Sequence, residues 1–340
     1  MKILYGVNSF GNGHITRSRV MAKELKKAGH DVTYLFSGRK PEKFFDMEEF
    51  GDSVIYKKGL QFYIEDGKVN LYKTIKNNDL LQVIKDVYSL NVNYDLIITD
   101  YEPITAWAAK IKQKQSIGIG HQYAFTKNIP ISHANKFMLY MMNKFAPVDI
   151  ELGLHWDSFN QNILPPIIDV NYFDPDIKID PNKILVYLPF ENLSKLLELF
   201  SQFDTKFVIY TQNRNFKEGN LEIKSFSKNG FLYDLQSSSG VICNAGFELA
   251  SETLHLNKKL LVKPVFGQME QHSNALAMQI LNYGLTTNKL TYPIIEQFII
   301  HEQGNKPKWS NTAEQIVNWL ADISVPLNYN KFWSNNEGSL

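Results

Sequence analysis

The sequence has very little cysteine, with Cys243 as the single example among 340 residues. A disulfide framework needs cysteine pairs and a cysteine-type metal site needs several, so the sequence excludes both. Long hydrophobic runs are also missing. The apolar N-terminal run has only the length of a strand and is interrupted by Asn8 and Gly11, which is typical of neither a signal peptide nor a membrane span. We therefore expect a cytoplasmic protein.

The chain also has no large excess of positive or negative charge. The 36 Lys and Arg residues nearly balance the 35 Asp and Glu residues, and the net charge of +1 argues against a nucleic-acid-binding surface. Hydrophobic residues make up 44% of the chain and charged residues 21%, a balance that indicates a globular protein and not a disordered one. A chain of 340 residues can form two domains, each with its own core.

Predicted strands and helices alternate through both halves of the chain, which indicates an α/β fold with parallel sheets and helices on their faces. The pattern restarts after residues 162–168, which include Pro165 and Pro166, and after the stretch rich in proline and aspartate that follows them, and we place the linker there. This predicts an N-terminal domain, residues 1–164, and a C-terminal domain, residues 165–323. We call these the first half and the second half.

The most informative segment covers residues 241–285. An apolar strand at residues 241–243 leads into the turn Asn244-Ala245-Gly246, and a helix begins at Phe247. Ligands bind at the carboxyl ends of parallel strands, and the free N–H groups of a starting helix favour a diphosphate there. Gly246 would let the backbone approach the phosphates. About one and a half turns into the helix, Glu252 is placed to accept hydrogen bonds from ribose hydroxyls.

The residues from Asn244 to Glu252, followed by Pro264 and by Glu270-Gln271-His272-Ser273-Asn274-Ala275, resemble the donor half of GT-B glycosyltransferases. The family 1 enzymes and the peptidoglycan N-acetylglucosaminyltransferase of family 28 are the most similar. The resemblance implies two Rossmann-like domains whose parallel sheets face each other across a cleft. It also implies that the C-terminal tail, about residues 324–340, crosses back to the first domain. Relatives commonly have His-Gly-Gly or Ser-Gly at the turn, so the side chain of Asn244 departs from the family pattern.

The same resemblance implies that Glu252 binds ribose and that Glu270 and Gln271 bind the sugar. In related enzymes, a loop before a helix of the second domain holds the nucleobase through backbone groups and an apolar side chain. Phe226 and Ser227 are the candidates here, although Phe226 fits a core position equally well. The predicted donor-binding residues are Gly13, Phe226, Ser227, Asn244, Gly246, Phe247, Glu248, Leu249, Glu252, Glu270 and Gln271.

The first predicted strand, residues 2–7, leads into a glycine-rich loop that ends at His14. The loop is not a dinucleotide fingerprint, because Thr16 occupies the third glycine position and the second strand ends at Ser37 instead of an acid. It resembles the histidine-bearing first loop of GT-B enzymes. His14 is then the candidate general base, because imidazole can take a proton from an acceptor hydroxyl near neutral pH. The alternative is a histidine that caps the helix or lies in solvent.

Asp100 ends the predicted buried strand at residues 95–100, at the same sheet edge as His14. A carboxylate usually orients a base of this kind, and family 1 enzymes often have an aspartate in this position, so we predict that Asp100 orients His14. Two alternatives stay open: Glu102 is the partner, or Asp100 caps the helix at residues 104–111. We expect Glu102, His121 and Tyr123 to line the acceptor side.

Two other patterns bear on metals and membranes. Asp174-Pro175-Asp176 has the spacing of a metal-binding motif found in the other glycosyltransferase fold, but it lies in the linker, so we predict no metal and no cofactor besides the substrate. Residues 136–144 form an apolar run with a lysine at each end. We favour a core helix for this short run. The alternative is peripheral contact with the inner membrane face.

Together these features predict a glycosyltransferase that uses a nucleotide sugar, expected to be UDP-linked. The acceptor hydroxyl would belong to a glycan, a lipid or a small molecule, in cell-envelope polysaccharide or glycolipid biosynthesis, and transfer would be metal-independent and inverting. A UDP-sugar epimerase of the same fold is one alternative, but it needs more acids and histidines around the sugar, and only His272 is an obvious one. A non-catalytic nucleotide-sugar sensor is the other, although it should not need both His14 and Asp100.

Overall fold

A computed structural model describes residues 1–61, 63–170, 173–212, 214–300, 304–305 and 307–333. Its strands are β1 (Lys2–Asn8), β2 (Asp31–Ser37), β3 (Val54–Lys57), β4 (Ile64–Glu65), β5 (Lys68–Val69), β6 (Leu96–Asp100), β7 (Ser116–Gly120), β8 (Ile150–Gly153), β9 (Asp180–Tyr187), β10 (Lys206–Thr211), β11 (Phe216–Glu218), β12 (Leu221–Ser225), β13 (Ser238–Asn244), β14 (Lys259–Lys263) and β15 (Leu285–Thr286). Its α-helices are α1 (Gly13–Lys27), α2 (Leu71–Asn77), α3 (Leu80–Ser89), α4 (Pro103–Ile111), α5 (Lys136–Phe145), α6 (Leu193–Phe200), α7 (Lys228–Ser237), α8 (Phe247–His255), α9 (Met269–Ile280), α10 (Tyr292–Ile300), α11 (Thr312–Trp319) and α12 (Tyr329–Trp333). Short 3₁₀ helices cover Pro41–Lys43, Glu48–Phe50, His121–Thr126 and Leu320–Asp322.

Each half of the chain contributes one large sheet. The first sheet has the order β3-β2-β1-β6-β7-β8, and all of its strand pairs are parallel. The second has the order β11-β12-β10-β9-β13-β14-β15 and is parallel except where β11 pairs with β12. The expected α/β class with parallel sheets is confirmed.

The strand orders determine where ligands can bind. Chain order reverses between β1 and β6 in the first sheet and between β9 and β13 in the second, and a parallel sheet opens a crevice at such a point. The loops after β1 and β13 line a common cavity, so the two crevices face each other across a cleft.

One cluster of buried hydrophobic side chains spans both halves, and smaller separate clusters lie within each half. β1 is buried from Ile3 onwards because helices cover both faces of a parallel sheet, which explains its continuous apolar sequence. α1 buries Val20, Met21 and Leu25. The largest cluster of buried side chains includes Trp156 from the first half and Phe247 from the second.

The segment predicted as a linker is part of this core. Residues 163–168, including Pro165 and Pro166, are all buried, and the four flanking isoleucine and leucine side chains belong to the core. The domain boundary at 164/165 stays a prediction. After the second sheet, α11 packs on α1, and Asn311 donates a hydrogen bond to Glu24 Oε1 at 3.0 Å. Of the predicted tail, residues 334–340 lie outside the described residues.

A hairpin made of β4 and β5 connects the two halves through backbone hydrogen bonds. The Gly67 N–H donates to the Phe190 carbonyl oxygen at 2.6 Å, and the Phe266 N–H donates to the Gly67 carbonyl oxygen at 2.8 Å. The Val69 N–H also donates to the Phe266 carbonyl oxygen at 3.2 Å. Phe190 and Phe266 follow β9 and β14, so the hairpin reaches the carboxyl edge of the second sheet.

The prediction of a core helix at residues 136–144 is wrong. α5 covers this run but has no buried residue, and Phe137, Tyr140 and Met141 are more than half exposed. Only one side of the helix is partly covered, by its contact with the cluster around Phe125 and Ile129. In the part of the chain that the structure describes, no helix is long and apolar enough to cross a membrane.

Candidate active site

A cavity of about 300 Å³ lies between the two halves. It is bounded by the loop after β1, the start of α1, the start of α8 and the start of α9. The residues predicted from sequence that line it are Gly13, His14, His121, Phe226, Ser227, Asn244, Gly246, Phe247, Glu248, Leu249, Glu252, Glu270 and Gln271.

His14 and Asp100 are in direct contact. His14 is the second residue of α1 and Asp100 is the last residue of β6, and β1 pairs with β6, so both side chains reach the same sheet edge. His14 Nδ1 lies 2.6 Å from Asp100 Oδ1. Burial by itself would raise the pKa of Asp100, but Arg17 and His14 hold that pKa below its usual value. An ionised Asp100 on Nδ1 leaves Nε2 of His14 as the nitrogen that can accept a proton.

Arg17 is a central residue that the sequence interpretation missed. Its side chain is only 2% exposed. Nε donates to Asp100 Oδ2 at 2.9 Å, Nη2 donates to Asp100 Oδ1 at 2.6 Å, and Nη1 donates to Glu248 Oε1. The available signal was helical spacing, because Arg17 precedes Met21 by one turn and therefore shares the buried face of α1.

The structure corrects the acceptor-side prediction for Glu102. Its carboxylate caps α4 by accepting from the N–H groups of Ile104 at 2.9 Å and Thr105 at 2.6 Å, and it also accepts from the Ser37 hydroxyl at 2.6 Å. The residue is fully buried and does not line the cavity, and burial raises its pKa. The helix cap considered for Asp100 is therefore provided by Glu102, which leaves Asp100 free to contact His14.

Tyr123 is the second correction. Its hydroxyl donates to the carbonyl oxygen of Ala146 at 2.9 Å, and its ring packs edge to face on Tyr101. The side chain lies in a small core cluster beneath α5 and not in the cavity. Tyr123 is the third residue after β7, and its side chain points into the core and not into the cavity. The residue type alone did not indicate this direction.

His121 lines the cavity, but it holds the two halves together. Nδ1 contacts the carbonyl oxygen of Leu154 at 2.8 Å, and Nε2 contacts Asn274 Oδ1 at 2.6 Å. The ring stacks on Phe247 with centroids 4.1 Å apart. Burial lowers the pKa of His121. With both nitrogens occupied by protein atoms, it is not placed to act as a base.

The turn before α8 has the features of an anion site. Within the described residues no side chain caps this helix, so its first N–H groups are available to a ligand. A Cβ added to Gly246 would meet no atom within 4 Å, so the space over the turn is open. Asn244 donates to the carbonyl oxygen of Lys263 at 3.0 Å, and its Oδ1 is buried without a hydrogen-bond partner among the described residues.

The remaining predicted donor residues form two groups around α8. Phe226 packs edge to face on Tyr187, and Ser227 caps α7 by accepting from the Gly230 N–H at 3.3 Å. Glu252 also borders the cavity, where burial and then Asp169 raise its pKa to about 7.

At the other end of the cavity, Glu270 accepts a hydrogen bond from Gln122 at 3.1 Å. Gln271 Oε1 accepts from the Val265 N–H at 2.9 Å, which fixes the amide beside the cavity.

The acidic triplet in the linker is not part of the cavity. Asp174 Oδ1 accepts from the Asp176 N–H at 2.9 Å, so the two acids form a local turn. Among the residues that the structure describes, no group of three or more histidine, cysteine or acidic side chains is placed to hold a metal ion.

The profile of a family described as glycosyl transferase family 1 matches residues 1–144 and 158–301. The chain belongs to this family. It is a glycosyltransferase, as the residues around Asn244–Glu252 predicted. No match is found among curated proteins.

Solved glycosyltransferases share its fold at low sequence identity. SnogD from Streptomyces nogalater is 15% identical, with a TM-score of 0.54 over 88% of this chain and 91% of SnogD. MurG from Acinetobacter baumannii is 13% identical, with a TM-score of 0.56 over 94% of this chain and 99% of MurG. VinC in complex with DTDP is 13% identical, with a TM-score of 0.52 over 88% of this chain and 92% of VinC. The GT-B fold of this glycosyltransferase is therefore confirmed.

Proposed function

We propose that this glycosyltransferase moves a sugar from a nucleotide sugar, UDP-linked, to an acceptor hydroxyl with inversion and without a metal ion. The observation that carries the proposal is the position of the His14–Asp100 pair and the uncapped start of α8 on one cavity. The His14–Asp100 pair can take a proton, and the start of α8 can bind a diphosphate. The described complex of VinC with DTDP supports a nucleoside diphosphate as the bound group.

In the proposed mechanism, His14 Nε2 removes the proton from the acceptor hydroxyl while the oxygen attacks the anomeric carbon. The bond between that carbon and the diphosphate breaks in the same step, so the configuration inverts. Asp100 stabilises the imidazolium that forms, and the N–H groups at the start of α8 stabilise the negative charge on the leaving diphosphate. Glu252 binds the ribose, Phe226 and Ser227 contact the base, and Glu270 and Gln271 bind the sugar.

The direct test measures binding and transfer on the same preparations. UDP and dTDP are titrated into the protein in the presence of a chelator, and release of UDP from UDP-sugars is measured with a panel of acceptors. His14→Ala should bind the nucleotide as the wild type does but transfer sugar roughly 10²–10⁴-fold more slowly. His30→Ala is the matched control, because His30 does not line the cavity. Transfer by His14→Ala at the wild-type rate would show that His14 is not the base.

We also propose a lipid-linked acceptor, with α2 and α3 in contact with the inner membrane face. Among the side chains that the structure describes on these helices, six apolar ones are more than half exposed, namely Tyr72, Ile75, Leu80, Leu81, Ile84 and Tyr88. Exposed lysines lie among them, namely Lys73, Lys76 and Lys85. Apolar side chains surrounded by lysines suit an anionic lipid surface. α5 also combines exposed apolar side chains with exposed lysines.

This second proposal is tested by sedimentation with vesicles. The protein should pellet with vesicles that contain anionic lipid and much less with neutral ones, and Leu81→Ser/Ile84→Ser should pellet less. Ile280→Ser is the matched control, because Ile280 is an equally exposed isoleucine in the second half. Equal sedimentation of all three proteins would remove α3 from the proposal.

A further inference from the structure

Glu248 is an acid at the place where a diphosphate would bind. It lies in the first turn of α8, its side chain is only 6% exposed, and it lines the cavity beside Gly246. A carboxylate at this position repels a diphosphate through like charge and occupies the positive end of the helix dipole. The donor site that the proposed function needs therefore contains a group that opposes its ligand.

The contacts of Glu248 explain how this charge is held without a donor. Oε1 accepts from Arg17 Nη1, in the other half of the protein. Oε2 is buried and has no hydrogen-bond partner among the described residues. The side chain lies against the start of α1, where a Cβ on Gly13 would come within 3.0 Å of Glu248 Cγ. Glu248 thus reaches across the cleft to a single cation.

Arg17 is held differently, because its other two nitrogens, Nε and Nη2, donate to both oxygens of Asp100, and Nη2 also lies 3.1 Å from His14 Nδ1. This forked contact fixes the guanidinium in place whether or not Nη1 has a partner. Nη1 can therefore change its acceptor without any movement of Arg17. A phosphate oxygen that arrives at the start of α8 is an acceptor of the required charge.

We infer that Glu248 is an internal competitor of the donor diphosphate, and that Arg17 Nη1 exchanges Glu248 for a phosphate oxygen when the donor binds. The inference rests on the proposed function. On this inference Arg17 binds the donor from the first half and also positions Asp100. Because Asp100 contacts His14, Arg17 couples an occupied donor site to the orientation of His14. The inference makes Glu248 a residue that weakens diphosphate binding and favours release of the product.

The experiment is a calorimetric titration of wild type and Glu248→Gln with UDP and with uridine. Glutamine keeps the shape and can still accept from Arg17, so the fold should be retained, and Glu248→Ala serves as a second variant. Glu248→Gln should bind UDP about tenfold more tightly, equivalent to about 1.4 kcal/mol, and bind uridine as the wild type does. Glu222→Gln is the matched control, because it removes one paired carboxylate of the same half away from the cavity.

A double-mutant cycle tests the exchange of partners. In an Arg17→Lys background the gain from Glu248→Gln should be smaller, because a lysine cannot bind Asp100 in a fork and a phosphate as well. A gain of the same size would overturn the exchange. If wild type binds UDP but neither Glu248 variant binds it more tightly, the inference is wrong and the proposed function stands. If wild type binds neither UDP nor dTDP, the nucleotide-sugar proposal fails and this inference fails with it.

Discussion

The stability of the protein is predicted to fall as pH rises through neutrality because of Glu252. Burial, and then the neighbouring Asp169, raise the pKa of this carboxyl from 4.5 to about 7. In the folded protein the proton is therefore retained at pH values where the unfolded chain has already lost it. The stabilising contribution of the protonated carboxyl is complete below about pH 4.5 and is lost as the pH rises through about 7.

The magnitude follows from the same two pKa values. One pKa unit corresponds to about 1.4 kcal/mol, so the difference between 4.5 and about 7 is worth roughly 3 kcal/mol. A glutamine at position 252 cannot titrate, so Glu252→Gln should lack this pH-dependent contribution to the free energy of unfolding. Relative to wild type, the variant should become more stable by up to roughly 3 kcal/mol between pH 5 and pH 8.

The assay is thermal unfolding of wild type and Glu252→Gln from pH 5 to pH 9, without nucleotide and at fixed ionic strength. The difference in Tm between the two proteins should grow with pH and level off above about pH 8. Glu49→Gln is a suitable control, because Glu49 also borders the cavity but its pKa is lowered. A Tm difference that is the same at pH 5 and pH 8 would refute the reasoning.

Three further predictions concern other contacts. Asp100→Asn should reduce transfer by at least about 100-fold and lower the Tm, because an amide cannot stabilise the imidazolium and leaves Arg17 without its fork; transfer at the wild-type rate would contradict this. Glu102→Gln should lose about 1–2 kcal/mol of stability with the α4 cap but keep the nucleotide affinity of the wild type, and a weaker Kd for UDP would return Glu102 to the site. Gly67→Ala should speed hydrogen exchange at the Phe266 N–H, because the added Cβ would come within 2.6 Å of Glu191 Oε1. Gly219→Ala, whose Cβ would meet no atom within 4 Å, should leave that exchange unchanged. Equal exchange in both variants would show that the hairpin tolerates the methyl group.

Local signals in the sequence were sufficient for the strands that lead into the site and for the pair His14–Asp100. The strand predicted at residues 2–7 coincides with β1 (Lys2–Asn8), because an apolar run of this length is buried in a parallel sheet that helices cover on both faces. His14 and Asp100 could be paired because one follows the loop after a buried parallel strand, the other ends such a strand, and parallel strands end at one edge of the sheet.

Contacts that depend on the approach of the two halves could not be predicted in this way. Arg17 and Glu248 are separated by 231 positions, and no local pattern relates them. Either Asp100 or Glu102 could cap α4, and the other could contact His14. The choice depends on which side chain turns toward the Ile104 N–H, and the backbone at Tyr101, where φ is 51°, decides it. The exposed side of α5 was not predicted, because the sequence of an apolar helix does not show whether another element covers it.

The hydrophobic cluster that spans both halves limits how halves can be exchanged between family members. Trp156 is fully buried, its indole N–H donates to the Ser251 hydroxyl at 2.8 Å, and its ring stacks on Phe247. A chimera that joins this first half to another second half would place Trp156, the largest fully buried side chain among the described residues, against a surface that lacks its partners. An exchange of the second half would have to keep Phe247, Ser251 and Asn274, because these residues contact the first half. Since Phe247 also lines the cavity, the cavity wall is inherited together with the contacts that hold the halves together.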